Sequence, residues 1–193
     1  DTSSWDMASG IKESVPPKIP LVVIDHHKTN TRFGNINLVD DKRTSTGELL
    51  YFVFEDWSQS LDSSVATSLL TAIIGDTGVF RYPGTGYKTL KVAEKLMEKG
   101  ADKDLIVFNV YNSNNLKLLK FWAEILDAMK FDEEGKFVWS AIPYEKFVEL
   151  GAFAEGRETA ASNFAEIVDG TEFGIVMVEQ EIGKLALSLR SRT

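Results

Sequence analysis

The stretch that most constrains the fold is Leu21-Val22-Val23-Ile24-Asp25-His26-His27, an unbroken apolar run that ends in one carboxylate and two imidazoles. Four aliphatic residues without polar alternation predict a strand covered on both faces, as in a parallel sheet flanked by helices. Ligands of such sheets collect at the carboxyl ends of the strands. Asp25, His26 and His27 stand at that end, before the polar segment Lys28-Thr29-Asn30-Thr31, and they include both histidines of the chain. In isolation a capping carboxylate beside two solvated histidines would read the same way, because short motifs carry a real false-positive risk. Two further features favour chemistry. A second apolar run, Leu69 to Ile74, leads into Gly75-Asp76-Thr77-Gly78, and another carboxylate opens the chain in Asp1-Thr2-Ser3-Ser4.

The chain has no cysteine, so disulfides and thiolate metal sites are excluded and any metal must be held by His, Asp or Glu. Such donors suit Mn, Mg, Fe or Zn. A net charge of −8 gives no general field for long polyanions, so a phosphate substrate would need local cations such as bound divalent metal and a few arginines. The 193 residues, 44% of them hydrophobic, suffice for one large domain or two small ones. No apolar run approaches the roughly 20 residues that span a bilayer, and no signal-peptide layout is present. The expectation is a cytoplasmic protein without membrane contact. Because it starts on Asp1 and stops at Arg192-Thr193, just after a strand-like segment, the chain reads as an internal piece of a longer protein.

From Asp1 to Pro20 the sequence reads as a polar, proline-bearing linker. Phe33 to Asp40 is a short strand candidate. Ser45-Thr46-Gly47-Glu48 has capping-box spacing ahead of a helix with Leu49, Phe52 and Val53 on one face. Asp62 caps a helix whose Val65, Leu69 and Ile73 repeat on one face and whose end carries Asp76. A helix from Tyr87 to Lys99 stops at Gly100, and Asp102 caps a short helix to Tyr111. Asn112-Ser113-Asn114-Asn115 is the best domain boundary, followed by an amphipathic helix with Leu116, Leu119, Ala123 and Leu126. Beyond it lie a strand from Phe137 to Ile142, helical patterns near 144–150 and 160–168, and a hairpin of 173–178 with 185–189.

With its Asp25-His26-His27 triplet, the chain resembles the DHH phosphoesterase superfamily, named for that motif. Asp1-Thr2-Ser3-Ser4 resembles the family's second motif, Gly75 to Phe80 its fourth, and the region from about Gly135 the accessory DHHA1 domain. The branch most similar is that of bacterial oligoribonucleases and 3′-phosphoadenosine 5′-phosphate phosphatases. The resemblance implies an α/β fold: a mainly parallel sheet flanked by helices in a partial DHH domain (1–112), a linker helix (113–133) and a partial α+β DHHA1 domain (134–193). It implies that Asp1 bridges two Mn ions, Mg being the alternative, that His26 and Asp76 ligate one, that His27 meets substrate phosphate, and that Asp25 orients His26. Arg190, Ser191 and Arg192 would hold substrate on the accessory domain. The activity implied is hydrolysis of short oligonucleotides or nucleotide phosphates by water that the metal activates, with room for a homodimer. The alternative is a non-catalytic nucleotide-binding or regulatory module of the same fold, and a pyrophosphatase or exopolyphosphatase relative is a third reading. The family's first motif and its glycine-rich GGGH motif are absent, which implies that this piece is impaired as an enzyme.

Overall fold

A computed structural model describes residues 1–12, 14–151, 154–165 and 167–191. Contacts divide the chain into two compact units, Asp1–Ser113 and Asn114–Thr193.

The first unit opens with a short helix, α1 (Trp5–Ser9), where composition leads one to expect an irregular linker. Ser4 Oγ accepts the Met7 amide at its start, and Gly10 closes it in the left-handed conformation at φ +69°. Local capping wins here: a serine and a glycine bracket one turn that a window average hides. Strands β1 (Val22–Asp25) and β2 (Ile36–Val39) then pair in parallel, from Val22 opposite Ile36 to Asp25 opposite Val39. Val23 and Asp25 are buried, whereas Val22 and Ile36 are 61% and 63% exposed. The strand is therefore covered on one face, and the expectation of cover on both fails. Side chains alternate across a strand, and on the Val22 side only Ile24 is half-buried while Val22 stays exposed.

Helices α2 (Thr46–Asp56), α3 (Ser63–Asp76), α4 (Tyr87–Glu98) and α5 (Lys103–Val107) build the first core. Ser45, Asp62 and Asp102 cap α2, α3 and α5 through their side chains, and α5 runs on into a π-helical turn, Phe108–Asn112. Helix α3 buries Ala66, Leu69, Leu70, Ile73 and Ile74, the i, i+3, i+4, i+7, i+8 stripe of an amphipathic helix. Val65, read from the sequence as part of that stripe, is instead 37% exposed, so the stripe starts one residue later. Gly47 permits α2 to approach α3 closely: a Cβ there would lie 2.7 Å from both the Ala72 Cβ and the Leu69 carbonyl oxygen.

The second unit begins with α6 (Leu116–Asp127) and holds β3 (Lys130–Asp132), β4 (Phe137–Ile142), β5 (Phe173–Glu181) and β6 (Lys184–Ser191) in the sheet order β3-β4-β5-β6. The central pair is parallel and the two outer pairs are antiparallel. Helices α7 (Tyr144–Glu149) and α8 (Ala154–Ala160) and a π-helical turn, Ala161–Ala165, occupy the crossover from β4 to β5. Val176 and Val178 of β5 and Ile142 of β4 pack with Phe121 and Ile125 of α6 and Phe147 of α7. Helix α6 thus belongs to a core. The face expected to be buried is the wrong one, since Leu116, Leu119 and Leu126 are exposed. Phe121 decides the phase: its ring packs 6.1 Å from that of Phe147, and an aromatic ring removes more apolar surface from water than the alternatives.

Candidate metal centre

The site is assembled where β1 ends. Asp25 lies on the covered side of the strand with no exposed surface. Its Oδ1 accepts a hydrogen bond from His27 Nδ1 at 2.8 Å, and its Oδ2 accepts one from Asn30 Nδ2 at 2.6 Å. The same Asn30 nitrogen donates to the Thr2 carbonyl at 3.0 Å, and the Thr31 amide donates to the Ser3 carbonyl at 2.8 Å. These bonds stitch the loop after β1 to the first residues of the chain. Asp1 is carried to the two histidines as a result.

His26 is held from the other side. Its Nδ1 lies 3.4 Å from the Arg43 carbonyl, an acceptor that suits the Nδ1–H tautomer, and Nε2 faces the carboxylates. Nε2 sits 3.4 Å from Asp76 Oδ2 and 3.8 Å from Asp1 Oδ1. Asp76 is placed by the end of α3. Thr77, almost fully buried, donates through Oγ1 to the Ile73 carbonyl at 2.6 Å and accepts the Phe80 amide at 3.0 Å. Gly78, Val79 and Phe80 follow at φ +55°, +59° and +64°. Left-handed backbone costs roughly 1–2 kcal/mol for each residue with a Cβ. The chain therefore reverses immediately after Asp76 at an energetic cost that the surrounding bonds offset.

Burial opposes ionisation of Asp25, but the hydrogen bonds from His27 and Asn30 and the nearby imidazole charge outweigh it and hold this carboxyl below its ordinary range. Asp76 goes the other way. Burial pushes it up, and the two histidines only partly counter that. Ligand atoms of Asp1, His26 and His27 all lie within 4.8 Å of one another, with the Asp76 carboxylate against His26. Hard carboxylate oxygens with one inward imidazole nitrogen match the donor chemistry of a divalent cation.

The five residues read from the sequence, Asp1, Asp25, His26, His27 and Asp76, thus come together. One role differs from what the family resemblance implies: Asp25 holds His27, and a backbone carbonyl orients His26. Residues 25 and 27 share one side of the chain while residue 26 faces the other. Sequence reasoning also passed over Asn30, whose amide just past a strand end is a legible turn signal. The Arg43 carbonyl had no signal to find.

Arg190 is half-buried, its Nε donates to Ser162 Oγ at 3.0 Å and its Nη1 to the Leu189 carbonyl at 3.0 Å. Ser191 ends β6 opposite Phe173. Arg192 lies outside the described residues.

No family model matches the chain. The probable bifunctional oligoribonuclease and PAP phosphatase NrnA of Streptococcus mutans is 26% identical over 173 residues, covering 90% of this chain and 55% of that protein. The bifunctional oligoribonuclease and PAP phosphatase NrnA of Thermus thermophilus is 26% identical over 181 residues, covering 92% of this chain and 52% of that protein. A crystal structure of an exopolyphosphatase-related protein from Bacteroides fragilis superposes with a TM-score of 0.82 at 23% identity, over 88% of this chain and 50% of that one. At that identity the superposition speaks for the fold alone. The chain spans about half the length of the curated relatives it matches. Over nine-tenths of its length the chain is thus similar to bifunctional oligoribonuclease and PAP phosphatases, and its triplet ends β1 beside Asp1 and Asp76.

Proposed function

We propose that this chain carries the metal-holding part of a phosphoesterase that hydrolyses short oligonucleotides or nucleotide phosphates such as 3′-phosphoadenosine 5′-phosphate. The observation that carries the reading is the inward Nε2 of His26 between the carboxylates of Asp1 and Asp76. Asp1, His26 and Asp76 would hold a divalent ion, with Mn the first choice and Mg the second. Such an ion, when bound, polarises a phosphoryl oxygen and makes water a better nucleophile. Asp25 anchors His27 through Nδ1, which leaves Nε2 free of that bond, and in the protonated form that nitrogen would donate to a phosphate oxygen. Arg190, Ser191 and Arg192 are proposed to supply substrate contacts from a domain of their own, with 1–112 and 134–193 as the two domains and 113–133 between them. The setting proposed is the cytoplasm, and the names of the relatives support the substrate class.

The test separates binding from turnover. Mn titrated into the chain, followed by calorimetry or by the loss of free Mn signal in electron paramagnetic resonance, should show binding that Asp76→Asn and His26→Ala remove. Release of AMP from 3′-phosphoadenosine 5′-phosphate should be Mn-dependent and slow, because these three ligands hold about one ion where in-line displacement by the two-metal route needs a pair. Absence of Mn binding in the unaltered chain would sink the reading.

A further inference from the structure

We infer that the first unit has a second nucleotide-binding subsite, a groove between α2 and α4 that receives the bases and phosphates of a single strand extending away from the metal centre. The groove has a volume of about 450 Å³ and is walled by Arg43, Phe52, Tyr87, Lys88, Lys91 and Lys95. A second hollow of about 190 Å³ continues it along Arg43, Tyr87 and Lys88 toward Lys42 and Thr44. Arg43 is the link to the chemistry. Its carbonyl oxygen holds His26 at 3.4 Å, and its guanidinium lies 4.0 Å from the centre of the Phe52 ring in the groove wall.

Three features fit this ligand class. The wall is cationic in a chain of net charge −8, so the patch runs against the molecule's overall charge. No carboxylate lies within ion-pair distance of Lys88 or Lys91 among the described residues, whereas Lys95 pairs with Glu98 at 2.8 Å and Arg43 with Asp40 at 3.0 Å and with Glu48, which lines the second hollow, at 3.6 Å. Aromatic surface is interleaved with these cations: Tyr87 is 67% exposed, and the Lys91 ammonium lies 5.7 Å from its ring centre. Stacking faces alternating with phosphate-pairing cations form the usual surface for single-stranded nucleic acid. The wall is also rigid. Buried Glu48 accepts from the Thr44 amide at 2.9 Å, the Thr44 hydroxyl at 2.7 Å and the Thr89 hydroxyl at 3.2 Å, tying the Arg43 loop to both helices.

The ligand class rests on the proposed function, but the test reads binding without turnover, so a chain that binds strands and cleaves nothing would separate the two failures. Nuclear magnetic resonance titrations of the full chain, without added metal, would compare AMP, triadenylate and inorganic tripolyphosphate. Triadenylate should bind at least about tenfold more tightly than AMP. The double variant Lys88→Glu/Lys91→Glu should erase that advantage, leave AMP unchanged and flatten the salt dependence. Tyr87→Ala should weaken triadenylate about tenfold and leave tripolyphosphate unchanged, while Tyr87→Phe, which keeps the ring, should bind like the original. Equal affinity for AMP and triadenylate would overturn the inference, as would indifference of triadenylate to the lysine changes. A groove that takes tripolyphosphate as tightly as triadenylate and ignores Tyr87→Ala is an anion patch, and that outcome overturns it too.

Discussion

The two units treat their charged side chains in opposite ways. In the first, His26 Nε2 stands 3.4 Å from the Asp76 carboxylate and 3.8 Å from that of Asp1, distances at which the groups have not closed into short hydrogen bonds. In the second, two arginines among the described residues are bonded at home: Arg157 Nε donates to Ser188 Oγ at 2.9 Å and Arg190 Nε to Ser162 Oγ at 3.0 Å. The second unit also leaves apolar surface open, since Leu185, Leu187 and Leu189 alternate along β6 with about half or more of each exposed. The contrast distinguishes a site from a scaffold. Positioned groups that have not satisfied one another can act on a third party, whereas saturated ones chiefly stabilise the fold.

The strongest way to break this contrast is to damage one unit and read the other. Phe121→Ala should destabilise the second unit by about 3–5 kcal/mol, because a fully buried ring at the junction of α6, α7 and the sheet leaves a cavity. Hydrogen exchange should then accelerate in β4 and β5 while Mn affinity in the first unit stays within about twofold. A collapse of Mn binding would mean that the first unit depends on the second. Next in size, His26→Ala should weaken Mn binding by more than about 100-fold, since loss of a ligand should exceed the 10–100-fold typical of residues that merely support one. Calorimetry measures it, and a change under fivefold would remove His26 from the centre.

Asn30→Ala sharpens the comparison within the first unit. It strips a hydrogen bond from buried Asp25 and unties the loop from the Thr2 carbonyl. A buried acceptor left short of a partner costs about 1–3 kcal/mol. Mn affinity should drop about tenfold as Asp1 loses its anchorage, and thermal denaturation should register the stability loss separately. Normal Mn affinity in a destabilised variant would make Asn30 a fold residue with no part in the centre.

How much of this was legible follows the same division. The strand end, the caps at Ser45, Asp62 and Asp102, and the hairpin of β5 and β6 are local in origin, so propensity and spacing carry them. The bonds that tie this loop and His26 to the rest of the unit are not local: Asn30 bonds to a residue 28 positions away, and His26 to a carbonyl 17 positions away. Backbone atoms have no letter in the sequence. Helix phases failed for a related reason. Counting leucines favours Leu116, Leu119 and Leu126, but the sheet accepts Phe121 and Ile125, and the choice belongs to the surface that the helix meets. The short helix at Trp5 was missed because one capped turn is below the length at which periodicity registers.

Arg190→Ala carries the smallest expected effect, and it asks whether the second unit's arginine is only a structural donor. Its Nε bond to Ser162 joins β6 to the π-helical turn after α8, so losing it should cost about 0.5–1.5 kcal/mol, the ordinary net worth of an internal hydrogen bond. Arg190→Lys keeps the charge but cannot reproduce a planar fork that bonds Ser162 and the Leu189 carbonyl together. If the residue serves structure alone, both variants should lower the melting temperature by a few degrees and bind 3′-phosphoadenosine 5′-phosphate as before. If it also meets substrate, as the proposed function has it, Arg190→Ala should weaken that ligand by more than the stability change accounts for, and Arg190→Lys should recover part of the loss. The comparison between an unsatisfied first unit and a saturated second one stands in the first case. In the second, one guanidinium of the scaffold does the work of the site, and the outer nitrogens of Arg190 mark where the saturation stops.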